Sequence, residues 1–402
     1  MTRLFAIVMC LLAWPVTAQD LNAVARVKTD LSRIEVSEEA LRIELALTQT
    51  VPYRVYFLEA PARLVVDFQE VDWSGTPAVE LMDQAMLGAV AYGPFQPGWS
   101  RLVVTLSGPQ RLLEAGMRVN QSDGSAKLSI QTAPTTLAEF VANAGAPPSA
   151  RWADPFEPTA TDAPPEQSDQ PVVVIDPGHG GIDPGATQDG VHEADVMLAL
   201  GIEVADAINR SGAARAVLTR DADVFVPLQL RITIARQANA DLFISLHADA
   251  LEVDEARGAS VYTLSTTAQD RASERMAERH ERGDIVAGLD LSSQDDRIAT
   301  VLMEMARRET APQAERFAKT VIEQLERAGA RLNSRPIRDG RLAVLGAADF
   351  ASVLLEVGFL TSDRDRAMLL DARQRAPLVE GIVSSVQVWL RDEAVRAADV
   401  RR

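Results

Sequence analysis

The chain has 402 residues, more than one ordinary domain needs, and 47% of them are hydrophobic, as in globular proteins with substantial cores. Its formal net charge of −17 argues against a nucleic-acid partner, because proteins that bind the phosphate backbone present basic stripes. Length and composition therefore predict two folded domains and exclude nucleic-acid binding.

The first twenty residues, MTRLFAIVMCLLAWPVTAQD, are typical of a secretory signal peptide. Arg3 gives a basic start, an apolar run from Leu4 to Pro15 follows, and the small residue Ala18 marks a cleavage site. The apolar run is too short to span a bilayer as a helix. We predict a signal peptide over residues 1–18, export to an extracytoplasmic site, and no transmembrane segment in the mature chain.

Residues 19–135 are predicted to form an all-β sandwich. Short alternating or apolar runs such as LRIELALT, YRVYFLEAPARLVVDF and SRLVVTLSG are separated by Pro, Gly, Asp and Ser, as strands are by turns. The next segment, 136–170, is rich in Pro, Ala and acidic residues and has little apolar periodicity. Such a segment buries too little apolar surface to offset its ordering entropy, so we predict a linker there.

Strand-like and helical patterns alternate over residues 171–393. The apolar runs PVVVID, ARAVLTR, DLFISLHAD and ASVLLEVGFL alternate with helical patterns such as EADVMLALGIEVADAINR. This alternation predicts an α/β domain in which helices flank a mainly parallel sheet on both faces. A charged, mostly helical insert over about 266–310 interrupts it, and connections of that length are usually functional lids or surface elaborations.

Three of the predicted strands end in residues that can carry hydrolytic chemistry. His179 follows VVVID, His247 follows DLFISL, Glu356 follows SVLL, and Glu193 opens the helix after the glycine-rich loop. In open α/β sheets the ligand site lies beyond the carboxyl ends of the strands. Two imidazoles, one carboxylate and a further glutamate match a hydrolytic zinc site with three protein ligands, an open position and a base.

These residues also have purely structural interpretations. Glu193 can complement a helix dipole without binding any ligand. A buried Glu356 is costly unless it has a metal, a proton or a partner, and a salt bridge to Arg231 or Arg220 would also satisfy it. His192 competes with Glu193 as a ligand, although adjacent residues on a helix or turn point in different directions.

Four segments closely resemble the zinc-dependent N-acetylmuramoyl-L-alanine amidases, the type 3 cell-wall amidases: VVIDPGHGGIDPGA, HEADV, RITIARQANADLFISLHADA and SVLLEVGFLTS. The resemblance implies that His179, Glu193 and His247 bind Zn²⁺ and that Glu356 is the catalytic carboxylate. The implied reaction is hydrolysis of the amide between the lactyl group of N-acetylmuramic acid and the L-alanine of the peptidoglycan stem peptide.

The segment YRVYFLEAPARLVVDF resembles the AMIN domain that precedes the catalytic domain in periplasmic cell-division amidases. The resemblance implies that the β domain binds peptidoglycan and that the enzyme acts in the periplasm, in cell-wall remodelling and daughter-cell separation. In related septal enzymes a helical insert blocks the zinc site until a LytM-type activator protein displaces it. By this resemblance Glu281, or a near neighbour, occupies the open zinc position, and RIATVLMEMARRE docks the activator.

Two rival functions come from other classes. A non-catalytic peptidoglycan-binding scaffold would be marked by the loss of a site residue, and the sequence retains all four. A zinc peptidase or deacetylase would be expected to carry His-Glu-x-x-His or an Asp-His-His cluster, and the sequence contains neither. Metal analysis and identification of the reaction products distinguish these functions from an amidase.

Overall fold

The computed structural model describes residues 24–37, 40–82, 89–96, 98–147, 170–250, 257–265, 287 and 297–400. Within these ranges an N-terminal β domain is followed by a C-terminal α/β domain, which confirms the predicted fold class. None of the helices described is long and apolar enough to cross a membrane. The predicted signal peptide, most of the predicted linker and Glu281 lie outside the described residues.

The β domain is a sandwich of two antiparallel sheets. Its elements are β1 (Ala25–Arg26), a 3₁₀ turn (Thr29–Leu31), β2 (Arg33–Val36), β3 (Leu41–Leu47), β4 (Tyr53–Leu58), β5 (Arg63–Gln69), β6 (Val71–Asp72), α1 (Ala78–Leu81), β7 (Val90–Gln96), β8 (Trp99–Thr105), β9 (Gln110–Val119) and β10 (Ala126–Pro134). The sheet orders are β2-β3-β10-β9 and β4-β5-β8-β7, and β1 pairs with β6 in parallel. Alternate apolar residues of both sheets form one core, as the period-two runs predict.

A short helix, α2 (Leu137–Asn143), follows β10 and packs on the sandwich. The Thr136 side chain accepts a hydrogen bond from the backbone N–H of Glu139 and caps this helix. Phe140 is buried in the β-domain core, with its ring centroid 5.6 Å from that of Phe57. The segment predicted as a linker from residue 136 therefore begins with a helix of the β domain. The sequence did not predict this helix because seven residues are too few to show a helical period.

The α/β domain is built on one six-stranded sheet. Its strands, together with a separate two-stranded hairpin, are β11 (Val172–Pro177), β12 (Thr187–Gln188), β13 (Val191–His192), β14 (Arg215–Leu218), β15 (Leu242–His247), β16 (Ala259–Leu264), β17 (Leu332–Gly340) and β18 (Ala351–Glu356). The sheet order is β14-β11-β15-β18-β16-β17, and β12 pairs with β13 in the hairpin. Only the β16–β18 pair is antiparallel within this sheet, so the sheet is mainly parallel, as predicted.

Helices cover both faces of this sheet. They are α3 (Glu193–Ser211), α4 (Leu228–Gln237), α5 (Arg297–Arg327), α6 (Asp363–Leu370) and α7 (Ala372–Val400), with a 3₁₀ turn at Ala343–Leu345. Helices α3, α5 and α7 pack with Val173 and Ile175 on one face, and α4 packs with Val172 and Val174 on the other. Because both faces are covered, the central strands β11, β15 and β18 are buried at every position rather than at alternate ones.

Helix α5 crosses the predicted end of the insert. The insert was predicted to end at about 310, but one helix of 31 residues runs from Arg297 to Arg327. Pro312 lies inside this helix, and a proline in a helical pattern usually marks a helix boundary. Of residues 266–296 the structure describes only Ala287.

Candidate metal centre

The carboxyl ends of three neighbouring parallel strands meet at one edge of the sheet and carry three of the predicted site residues. His179 lies two residues after β11, His247 ends β15, and Glu356 ends β18. His247 lies opposite Glu356 in the register of β15 and β18, and β11 pairs with β15 on its other side. Glu193, the first residue of α3, follows the β12–β13 hairpin. The sheet therefore brings these residues to the edge where open α/β sheets bind ligands.

His179, Glu193 and His247 form a compact cluster in which their possible ligand atoms all lie within 4.8 Å of one another. Glu193 lies between the imidazoles: its Oε2 is 3.3 Å from Nε2 of His179, and its Oε1 is 3.0 Å from Nδ1 of His247. All three side chains are buried. Two imidazoles and one carboxylate are a donor set found in catalytic zinc sites, so the cluster can hold a metal ion.

Backbone groups hold the Glu193 carboxylate in this position. The N–H of Ala186 donates to its Oε2 at 2.9 Å, and the N–H of Ala248 donates to its Oε1 at 2.9 Å. Burial alone would raise the pKa of Glu193, but His179 and His247 lower this pKa well below its usual range. The carboxylate is therefore ionised, as a metal ligand must be.

Asp183 orients the His179 ring. Its Oδ2 lies 2.7 Å from Nδ1 of His179, and its Oδ1 accepts the N–H of Gly185 at 3.1 Å. Burial opposes protonation of His179, but Asp183 and Glu193 raise its pKa well above the usual value. Carboxylates commonly bind the second ring nitrogen of a metal-ligating histidine in this way. Asp183 was not among the residues predicted from the sequence, although it lies only four residues after His179 in the same loop.

Two glycines leave room for the imidazole rings in the loop from Gly178 to Ala186, here called the metal loop. A Cβ atom at Gly178 would lie 2.2 Å from Cε1 of His247, and a Cβ atom at Gly185 would lie 2.6 Å from Cδ2 of His179. Gly185 also has a φ of +67°, which side chains disfavour. Glycine is needed at these two positions of the metal loop because a side chain there would displace a ring.

Arg231 forms hydrogen bonds to the end of β11 and to the start of the metal loop. Its guanidinium donates to Asp176 at 2.7 Å, to the carbonyl of Pro177 at 2.8 Å and to the carbonyl of His179 at 2.8 Å. His179 has a φ of +59°, a conformation that costs a residue with a Cβ atom about 1–2 kcal/mol. The bond from Arg231 to its carbonyl helps to offset this cost.

Arg220 supports the same backbone from the neighbouring strand end. It donates to the carbonyl of Pro177 at 2.9 Å and to that of Gly178 at 2.8 Å. The salt bridge to Arg220 or Arg231 considered for Glu356 is therefore not what the structure shows, because both guanidinium groups are engaged at the base of the loop. The sequence identifies these two arginines as candidate partners of buried groups, but it does not predict which backbone carbonyls they bind.

Glu356 is fully buried beside a second carboxylate. Its Oε2 accepts the backbone N–H of Asp249 at 3.1 Å. Burial, the Asp249 carboxylate and then Glu193 raise the pKa of Glu356 well above its usual value. A carboxyl group with a raised pKa is suited to accept and return a proton near neutral pH. The sequence analysis missed Asp249, which lies two residues after His247.

Comparison with known proteins assigns the chain to a family. The family model described as N-acetylmuramoyl-L-alanine amidase matches residues 173–388, more than half of the chain. The chain belongs to this family. A model of the AMIN domain matches residues 33–132, inside the β domain.

Two relatives align with most of this chain and with most of their own length. The N-acetylmuramoyl-L-alanine amidase AmiC of Neisseria meningitidis serogroup B is 27% identical over 395 residues, covering 91% of this chain and 90% of the relative. The protein of the same name from Escherichia coli O6:H1 is 26% identical over 412 residues, covering 96% and 94%. Among solved structures, the amidase AmiC2 of Nostoc punctiforme covers 56% of this chain and 99% of its own, at 27% identity and a TM-score of 0.41.

Of the two other predicted residues of the amidase domain, only His192 has a described position. His192 is exposed, and its Nδ1 lies 3.0 Å from the hydroxyl of Thr187 across the β12–β13 hairpin, so it is outside the buried cluster. Glu281, predicted to block the metal, lies outside the described residues and has no described position.

Replacement of Asp183 by asparagine is expected to weaken the binding of a metal ion at this cluster by about 10–100-fold, the usual effect of losing a carboxylate that orients a histidine ligand. Competition with a chromophoric chelator measures this affinity. The matched control is Asp189→Asn, an exposed carboxylate outside the metal loop that pairs with Arg366. Equal metal affinities for the two variants would show that Asp183 does not support the site.

Proposed function

We propose that the chain hydrolyses the amide bond between the lactyl group of N-acetylmuramic acid and the L-alanine of the peptidoglycan stem peptide. The observation that carries this proposal is the buried His179–Glu193–His247 cluster beside Glu356, within residues that match the amidase family. The two AmiC relatives, which align with most of the chain, are named for this activity.

Zn²⁺ is the cofactor in this proposal, held by His179, Glu193 and His247. Nitrogen and carboxylate donors suit zinc, and a metal without redox chemistry suits an exported enzyme. When bound, zinc would polarise the amide carbonyl and lower the pKa of a water molecule to about 7. The protein supplies a buried site in which the ligands are fixed by Asp183 and by backbone donors.

Glu356 is the catalytic acid and base in this proposal. It accepts a proton from the attacking water and returns it to the nitrogen of the leaving L-alanine. Its place opposite His247 at the end of β18 puts the carboxylate at the same edge of the sheet as the cluster. Once protonated, it is stabilised by burial and by the neighbouring Asp249 carboxylate, which both raise its pKa.

The β domain binds peptidoglycan in this proposal, and the enzyme acts in the periplasm in cell-wall remodelling and daughter-cell separation. The AMIN match to residues 33–132 supports a targeting role for the β domain. The predicted signal peptide over residues 1–18 supports export. Peptidoglycan is thus both the substrate of one domain and the ligand of the other.

The insert lowers the activity of the resting enzyme to a basal level in this proposal. Glu281 or a near neighbour occupies the open ligand position, and a LytM-type activator docks on residues 297–309 and displaces the insert. The start of α5 at Arg297 supports a helical docking segment there, since an amphipathic helix can lie in a partner's groove.

Replacement of Glu281 by glutamine is expected to raise the basal activity on sacculi about 10-fold or more. The reason is that the state in which the insert does not block the metal site, populated at about a few per cent in the wild-type chain, becomes the dominant state. Glu274→Gln is the matched control within the insert. A basal rate unchanged by Glu281→Gln rules out this glutamate, and one unchanged by deletion of residues 269–285 contradicts inhibition by this part of the insert.

Digestion of purified sacculi tests the proposed activity and its metal together. The zinc-loaded chain is expected to release peptides, to stop after chelation and to recover when zinc is added back. Release that continues undiminished in protein shown to be free of metal would contradict the proposal.

A further inference from the structure

The second sheet of the β domain, β4-β5-β8-β7, is buried on both of its faces. In β5, Leu64 and Val66 face the sandwich core, whereas Val65 between them faces the opposite side. The outer face of a sandwich sheet is normally polar, because it contacts water. Here the outer face is buried, and it carries Tyr56, Leu58, Val65, Phe95 and Val103 together with the buried ion pair of Asp67 and Arg101.

Side chains of the amidase domain cover this outer face. Ile182 of the metal loop and Phe225 belong to the same buried cluster as the sheet residues. The rings of Phe95 and Phe225 stack with their centroids 5.9 Å apart and their planes at 17°. The guanidinium carbon of Arg101 lies 3.4 Å from the centroid of the Phe95 ring. The contact between the domains is therefore closely packed and includes aromatic stacking.

The main chain of the metal loop is also bonded to the β domain. The N–H of Ile182 donates to the carbonyl of Pro94 at 2.9 Å. Gly93 permits this close approach: a Cβ atom there would lie 3.1 Å from Cα of Ile182 and 3.2 Å from the carbonyl oxygen of Gly181. The three nearest atoms to that position all belong to the metal loop, so a side chain at residue 93 would push against the loop first.

The same face also contacts the insert. Ala287 is fully buried in the cluster, and its carbonyl accepts a hydrogen bond from Nη1 of Arg101 at 2.9 Å. Arg101 is itself fixed by an ion pair with Asp67, and both side chains are buried. The β domain therefore touches the metal loop and the described part of the insert at once.

We propose that the outer face of the β4-β5-β8-β7 sheet is a docking surface for the amidase domain, and that docking positions the metal loop through Ile182. Ile182 lies between His179 and Asp183 in the chain. Its backbone hydrogen bond to Pro94 therefore restrains both residues of the His179–Asp183 contact that orients the imidazole ring. The second part rests on the proposed metal site.

The test is Gly93→Val, whose side chain would push the metal loop away from the β domain and would also strain the backbone, because Gly93 has a φ of +158°. The matched control is Gly124→Val, where φ is also positive, at +74°, and a Cβ atom meets nothing within 4 Å. Hydrogen exchange of a fragment containing Ile182 reports docking, because the acceptor of this amide lies in the other domain. Exchange at Ile182 is expected to become at least about 10-fold faster in the Gly93→Val variant, and zinc affinity to fall by about 10-fold.

Each outcome decides one part of the proposal. Unchanged exchange at Ile182 in Gly93→Val would overturn docking, and faster exchange with unchanged zinc affinity would overturn the positioning role. A wild-type chain that binds no zinc would refute the proposed metal site and still leave the exchange comparison valid for docking. Should Gly93→Val fail to fold, Phe95→Ala gives the same comparison by removing the stacked ring.

Discussion

Replacement of Glu356 by glutamine is expected to lower the rate of amide hydrolysis by about 10²–10⁴-fold, the contribution usual for a positioned acid–base group. Glutamine keeps the shape of the side chain and can still accept the N–H of Asp249, so the β15–β18 edge is expected to remain intact. It cannot accept a proton from water or return one to the leaving amine. The loss should therefore be in kcat, measured by peptide release from sacculi.

The control for this prediction is Glu380→Gln, an exposed glutamate on α7. The Glu356 variant is expected to bind zinc as tightly as the wild-type chain within about 3-fold, because Glu356 is not among the three clustered ligands. A Glu356→Gln enzyme as active as the Glu380→Gln enzyme would remove Glu356 from the mechanism.

Replacement of His247 by alanine is expected to abolish both zinc binding and activity. The variant loses one of two imidazoles in the cluster and leaves Glu193 and His179 as the remaining donors. A bound metal contributes several kcal/mol to the stabilisation of developing charge, so the activity should fall about 10³-fold or more. Elemental analysis of the purified, folded chain should show about one zinc per wild-type chain and far less in the variant.

His192→Ala is the matched control, because this histidine is exposed and lies outside the cluster. It is expected to keep both zinc and activity. Loss of zinc from His192→Ala together with retention in His247→Ala would exchange the roles assigned to the two histidines.

The sequence predicts the sheet edge well, because buried parallel strands are recognisable as short apolar runs. VVVID ends one residue before β11 does, and DLFISLH and SVLLE end with β15 and β18. His179 follows the first run, His247 and Glu356 end the other two, and the structure brings the two histidines into one cluster. This prediction rests mainly on the general rule that ligand sites in open α/β sheets lie beyond the carboxyl ends of the parallel strands. The apolar runs therefore predict the positions of the candidate site residues as well as the strands.

The supporting contacts could not be predicted, because they depend on distances of a few tenths of an ångström rather than on periodicity. Asp183 and Asp249 are ordinary loop carboxylates in the sequence, and Arg220 and Arg231 gain their role only from the carbonyls that they reach. The same is true of α2, whose attachment rests largely on the burial of one aromatic ring.

The docked face of the β domain left a trace in the sequence that is clear only in retrospect. RLVVDF in β5 is nearly continuous in apolar residues, whereas a strand with one wet face would alternate. Such a run is ambiguous between a strand buried on two sides and a locally irregular edge. The packing of Val65 against the cluster with Ile182 and Phe225 resolves this ambiguity.

Identification of the products from digested sacculi is the most direct test of the central claim. The zinc-loaded chain is expected to release stem peptides with a free N-terminal L-alanine and to leave glycan strands that carry free lactyl carboxylates. Mass spectrometry of both fractions detects these products. Released acetate, or peptides cut within the stem while the lactyl amide stays intact, would contradict the assignment of this chain as an N-acetylmuramoyl-L-alanine amidase.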